Sequence, residues 1–267
     1  MRLTLRSHLL AVSVLAIMLA PARLAGASQD APASTPPDGL QTPASAKPAG
    51  LTDHQMGDLY MARKMFREAI DMYRKAMTGT ADWALWNKIG IAYHHMQDFK
   101  AAKKSYEKAL KVNPQYAEAR NNLGTVAHAR KDYRGAIREY QRALKVDPYS
   151  ATIYSNLGTA YFARKRYDDA LKAYQQALKL DPEVFETHNA AGTILQERTV
   201  EERAKYHYYL AKTYAEAGMT DRAMSYVRKS LEEGFKDKKK YMEEPAFATM
   251  RDLPEFQQLM TAEFRAL

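Results

Sequence analysis

The chain has 267 residues, 46% of them hydrophobic, no cysteine and a formal net charge of +9. Without cysteine, disulfides and thiolate chemistry are excluded, so packing alone must stabilise the fold even outside the cell. Setting aside Arg2, Arg6 and Arg23 in an N-terminal segment with the marks of a processed leader leaves about +6, a modest excess that does not call for nucleic acid.

Arg2 and Arg6 precede an apolar run from Leu9 to Ala20, and Ala25-Gly26-Ala27 supplies small residues before Ser28. This three-part pattern predicts a signal peptide over 1–27 and an exported protein, periplasmic or secreted. The alternative is an uncleaved anchor through Ala27. The run is short for a span and Pro21 and Arg23 interrupt it, so the mature chain is expected to carry no transmembrane span. Residues 28–50 contain Pro32, Pro36, Pro37, Pro43 and Pro48 among small residues. With almost nothing large and apolar to bury, this stretch reads as a flexible linker.

From Leu51 the apolar residues recur at three or four positions, the helical period. Met56, Tyr60, Met61, Phe66, Ile70 and Tyr73 suit two helices joined near 62–65. A fixed longer period is laid over this one. Gly57 and Gly90 are 33 residues apart, while Gly90, Gly124, Gly158 and Gly192 follow at intervals of 34. Tyr106, Tyr140 and Tyr174 keep the same step, as do Ala109, Ala143 and Ala177. Such a period marks a solenoid of one repeated supersecondary unit. Small residues set against tyrosines are what a close antiparallel helix pair requires.

Between units the chain reads Lys111-Val112-Asn113-Pro114, Lys145-Val146-Asp147-Pro148 and Lys179-Leu180-Asp181-Pro182. Lysine in a last turn complements the helix dipole, and Asn or Asp before Pro suits an N-cap followed by a first helical position. The fifth unit keeps Gly192 but departs from the pattern near Arg198. A new helix is expected from Thr199 to Ala217 and another from Thr220 to Glu233. The repeat domain is thus placed at 51–233 and a capping segment, with a last helix near Pro254, at 234–267.

Trp86-x-x-Ile89-Gly90-x-x-Tyr93, Leu157-Gly158-x-x-Tyr161 and the series Ala170, Tyr174, Ala177, Pro182 resemble the tetratricopeptide repeat motif. Ala127 stands where the third unit would usually carry an aromatic. The segments Glu244-Pro245-x-Phe247 and Arg251-Asp252-Leu253-Pro254-x-Phe256 resemble the closing segment of bacterial proteins of this broad group. The resemblance implies an all-α, right-handed superhelical solenoid of antiparallel helix hairpins that binds a protein or peptide through its concave surface.

In such a superhelix the first helix of each unit lines the groove, and equivalent residues form ladders. One is Asn87, Asn121, Ser155 and Asn189; another is Ile91, Thr125, Thr159 and Thr193. Amides and hydroxyls both donate and accept, so such rows can hold an extended backbone. His94, His95 and His128, with Phe162 following at the repeat interval, suggest a mixed aromatic and titratable pocket. Adjacent His94 and His95 cannot easily face one ion, and no carboxylate completes a shell, so no metal or other cofactor is expected. No nucleophile, phosphate loop or isolated acid pair stands outside the repeat logic, and the chain is not expected to be an enzyme. The expected role is an exported scaffold or adaptor holding a polypeptide in an envelope assembly. The alternatives are self-association into a structural array or service as an enzyme accessory subunit.

Overall fold

The computed structural model describes residues 50–77, 82–187 and 199–264, all within one compact unit, Lys47–Leu267. The expected signal segment, all but the last residue of the linker, and His188, Asn189, Gly192 and Thr193 lie outside the described residues. Among those described, every regular element is helical.

Four hairpins come first: α1 (Asp53–Ala62) with α2 (Phe66–Ala76), α3 (Trp83–His95) with α4 (Phe99–Val112), α5 (Ala117–Ala129) with α6 (Tyr133–Val146), and α7 (Ala151–Ala163) with α8 (Tyr167–Leu180). A short α9 (Val184–Thr187) follows, and then the hairpin of α10 (Val200–Glu216) and α11 (Thr220–Glu232). The chain closes with α12 (Lys239–Glu243), a 3-10 turn over Pro245–Met250 and α13 (Pro254–Thr261). Both helices expected after residue 198 are therefore found, within a residue at their ends, while residue 198 itself lies outside the described residues.

Each hairpin turns in the same way. Lys131 lies in the left-handed region at φ 62°, its N–H meets the His128 carbonyl at 2.8 Å, and the next N–H, of Asp132, meets the Ala127 carbonyl at 2.9 Å. These two bonds are a Schellman closure, which satisfies carbonyls left open at a helix end. Lys64, Gln97 and Lys165 hold the same place in their hairpins, and Gly218 holds it in the fifth. Asp132 then caps the following helix by accepting from the Gly135 N–H, as Asp98 does from Ala101. One residue thus ends the closure and starts the next helix.

Between hairpins the expected N-cap reading of Asn113, Asp147 and Asp181 is corrected. Each stands at the C-terminal end of the preceding helix, and the next helix begins beyond the proline. Their side chains accept from the N–H two residues on, at Gln115, Tyr149 and Glu183. Because proline has no N–H, the Asx turn bridges across it and sets the bend between units.

Inside each of the first four hairpins a glycine faces a tyrosine sixteen positions later. A Cβ on Gly124 would lie 2.5 Å from Cε1 of Tyr140, and one on Gly158 would lie 2.5 Å from Tyr174. Gly57 and Gly90 stand in the same way against Tyr73 and Tyr106. These four rings are almost wholly inaccessible. The tyrosine takes the space that the absent side chain leaves, and this fixes how closely the two helices approach.

Hairpins stack because each second helix packs on the first helix of the next unit: α2 on α3, α4 on α5, α6 on α7. First helices also touch one another, α3 with α5 and α5 with α7. They therefore form the inner, concave side and the second helices the outer one. The α10–α11 hairpin continues the stack, with Tyr206 edge-on to both Phe162 and Tyr174 and Gln175 bonded to Glu216. At the C-terminal end Tyr241, Phe247 and Phe256 are fully buried beside Tyr208, and the Lys238 amine donates to the Leu259 and Met260 carbonyls. That closure covers apolar surface that a further repeat would otherwise bury.

Candidate functional site

The amide and hydroxyl ladders do not stand open to the groove. Asn87 is 2% exposed; its amide donates to Tyr116 and Glu118, and its oxygen accepts from Asn122 at 3.0 Å. One repeat on, the Asn121 oxygen accepts from Asn156 at 2.9 Å. In the first repeat the same link is made by Lys88, whose amine reaches His54 and the Asp58 carboxylate. These bonds stitch neighbouring first helices together. Thr125 and Thr159 donate to the carbonyls of Asn121 and Ser155 and accept from the hydroxyls of Tyr140 and Tyr174. A buried tyrosine hydroxyl needs a partner, and the threonine row supplies it. The expectation that Asn87 and Thr159 offer free polar groups to a ligand is thus corrected, since both are buried; Asn121 and Thr125 are half-buried, and Thr125 lines the cleft described below. Ser155 is half-buried beside them, and Asn189 and Thr193 lie outside the described residues.

Two cations on the first helices, Lys88 and Arg120, are engaged as well. Lys88 is paired with Asp58, which holds that carboxyl below its usual range although partial burial pushes the other way. The Arg120 guanidinium donates to the Pro114 carbonyl.

The histidine and aromatic row is different. His94, His128, Phe162 and Thr125 line a single cleft of about 690 Å³ at the hairpin-turn end of the inner face. In each of three consecutive repeats the row residue meets the first residue of the following helix edge to face. The centroids are 5.5 Å apart for His94–Phe99, 5.0 Å for His128–Tyr133 and 5.4 Å for Phe162–Tyr167. Hydrophobic register puts both rings there: the last turn of one helix and the first turn of its partner close on each other across the Schellman turn. The far wall comes from α10, through Glu201, Glu202 and Lys205.

Cations stand round the rings. Lys131 and Lys165, at the left-handed turn positions, both line the cleft, and the Lys205 amine sits 4.0 Å from the Tyr167 centroid. Tyr167 stacks on Tyr209, and burial followed by the charge of that neighbour pushes the Tyr209 hydroxyl up to about 12. Burial, and then the neighbouring His95, lowers the proton affinity of His94, so its ring is neutral at neutral pH. The cleft thus combines aromatic rings, the neutral His94 imidazole and lysine ammonium groups, with His128 and Phe162 largely buried in its wall. No group of three or more His, Asp or Glu residues placed to hold a metal occurs among the described residues.

His94, His128 and Phe162 were legible from the repeat interval. Phe99, Tyr133 and Tyr167 carried the same signal as the first residues of alternate helices, and Lys131 and Lys165 as turn residues. The contribution of α10 carried none, because it enters after the register shift.

A stack of helix hairpins with a ring-lined cleft on its inner face defines a repeat solenoid of the protein-interaction class. Two tetratricopeptide repeat models match it, over residues 87–151 and 151–184, so that stretch carries tetratricopeptide repeats. No curated protein matches the chain. Among solved structures, a crystal structure of MamA is 23% identical, covering 67% of this chain and 94% of that one at a TM-score of 0.47. The 41-end portion of MamA from Desulfovibrio magneticus RS-1 is 22% identical over 67% and 92% at 0.48. YrrB, described as a TPR protein with an unusual peptide-binding site, is 19% identical over 68% and 84% at 0.45. The assignment rests on the two repeat models and the hairpin geometry, not on these likenesses.

Proposed function

We propose that this protein is an exported scaffold that holds a segment of a partner polypeptide in the cleft formed by the His94–Phe99, His128–Tyr133 and Phe162–Tyr167 ring pairs and α10. One observation carries the reading. With Asn87 bonded to Asn122 and Asn121 to Asn156, these rings and the turn lysines, beside Thr125 and the α10 side chains, are what the described residues bring to the cleft. Apolar faces flanked by a few polar groups suit a side chain that anchors a peptide. The N-terminal basic, apolar and small-residue pattern supports placing this scaffold outside the cytoplasm, in an envelope assembly.

A photo-crosslinking residue at Ala129 or Ala163, both on the cleft wall, tests this in the native host. A defined polypeptide adduct is expected from these positions and none from Glu232, which is exposed on α11. Adducts from Glu232 alone would refute the cleft. N-terminal sequencing of the mature protein tests export, with Ser28 as the expected first residue.

A further inference from the structure

We propose that the outer face of α4 and α6 is an electrostatic docking surface for an anionic phospholipid bilayer. In the three central hairpins the first helices are poor in charge: α7 carries none, α3 has Lys88 beside its two terminal histidines, and α5 has Glu118 and Arg120. The charge lies on the second helices, and unevenly. α4 holds five lysines against Glu107, and α6 holds three arginines and a lysine against Glu139.

These cations form an array. Lys100 and Arg134 are 34 positions apart, and so are Lys104 and Arg138, Lys108 and Arg142, and Lys111 and Lys145. All eight are exposed. Along each helix they recur at four, four and three positions, which is one helix face. The period that builds the fold therefore repeats a row of positive charge across two neighbouring outer helices. On either side the array thins: α2 has Asp71 between Arg67 and Lys75, and α8 has Asp168 and Gln176 beside Lys172 and Lys179. Local pairing neutralises little of it: Glu139 takes Arg142, Glu107 takes Lys103, and Lys108 lies over the Trp86 ring.

A charge array extended in two dimensions fits a laterally extended anionic surface better than a single strand. The outward positions of α4 and α6 also offer no aromatic platform on which bases would stack, which single-stranded nucleic acid would require. Each cation held near an anionic bilayer adds about fivefold to affinity, so the array would hold the outer face down and leave the inner cleft facing away. This docking does not depend on what the cleft binds.

The test is co-sedimentation of the full-length protein with vesicles of phosphatidylcholine alone or with about one-third phosphatidylglycerol, at low salt. Two variants lose equal charge: Lys100→Glu/Lys104→Glu/Arg134→Glu/Arg138→Glu in the array, and Lys64→Glu/Lys236→Glu/Lys239→Glu/Lys240→Glu outside it. Any contribution of the N-terminal apolar run is common to both. The array variant should fold, since acidic residues early in α4 and α6 suit the helix dipole, and circular dichroism verifies this. A glutamine version of the same four sites gives a second, milder measurement. Expected are preferential binding to the anionic vesicles, a loss of at least about five-hundredfold in the array variant and of less than about threefold in the control. Equal losses in both variants, no preference for anionic lipid, or tighter array-dependent binding to duplex DNA would overturn the proposal.

Discussion

Replacing Gly124 with alanine sets two effects of opposite sign against each other. Alanine is favoured over glycine inside a helix by about 1 kcal/mol, so local propensity alone predicts a more stable protein. The new Cβ, however, would lie 2.5, 2.6 and 3.0 Å from Cε1, Cδ1 and Cζ of Tyr140. Relaxed carbon contacts begin near 3.5 Å, so the ring must retreat by about 1 Å. Tyr140 is 0% exposed, and its hydroxyl is bonded to Thr125, beside the mutated residue. Overpacking in a closed core costs about 1–3 kcal/mol, and a rigid ring with no free side belongs at the upper end. The expected net loss is about 1–2 kcal/mol, measured by urea denaturation with hydrogen exchange read across α5 and α6. Tyr140→Leu alone leaves a cavity, but combined with Gly124→Ala it should cost at least about 1 kcal/mol less than the sum, because the added methyl occupies vacated space. A Gly124→Ala protein more stable than the wild type would refute the claim that tyrosine packing sets the helix approach.

Further outcomes follow from the turns and the buried histidines. Lys131→Gly and Lys165→Gly remove a Cβ held at φ 62° and 59°, and each should stabilise the fold by about 0.5–1 kcal/mol, whereas Lys145→Gly inside α6 should destabilise by a similar amount. Thermal midpoints of the three variants would decide this, and a loss at residues 131 and 165 would contradict the strain argument. Burial, reinforced by His95, lowers the proton affinity of His94; burial, with Lys229 and Arg203, lowers that of His207 despite its bond to Glu233. Below the ordinary histidine value of 6.5 the unfolded chain therefore binds more protons than the folded one. The histidine contribution is complete above that value and is lost as pH falls toward the lowered folded values. The melting temperature should drop between about pH 7.5 and pH 5.5, and a His94→Gln/His207→Gln variant should show a shallower drop in that window. An unchanged slope would remove the histidines from the account.

The hairpins were legible because their two determinants are local in sequence: apolar spacing at three or four residues, and the Gly124–Tyr140 type of pairing repeated along the chain. The break after Arg198 and the resumed helix pair were also legible, since Thr199 and Glu202 form a capping box that announces a helix start. The Asx turns at Asn113, Asp147 and Asp181 were misread as N-caps because the same residue pair, an acid or amide before proline, serves both ends of a helix. Which lattice of bonds the inner-face amides would choose was not legible, because that depends on the neighbouring repeat's orientation.

That last point yields a way to separate a ligand row from a structural one. Asn87 with Asn122 and Asn121 with Asn156 are each 35 positions apart, one more than the repeat, so each amide meets the next residue of the adjacent helix rather than its own equivalent. A polar row accompanied by a second polar row one position later can satisfy itself, and it then needs no ligand. The row at His94, His128 and Phe162 is followed instead by His95, Ala129 and Ala163, so past the first repeat it has no polar companion. Its ring partners come from the hairpin's other helix and, for Phe162, also from Tyr206 and Tyr209 of α10, and all three row residues line the cleft. The asymmetry between the two rows is written in the sequence at single-residue resolution. It assigns the amides to cohesion between repeats and leaves the ring row as the one on which the proposed recognition rests.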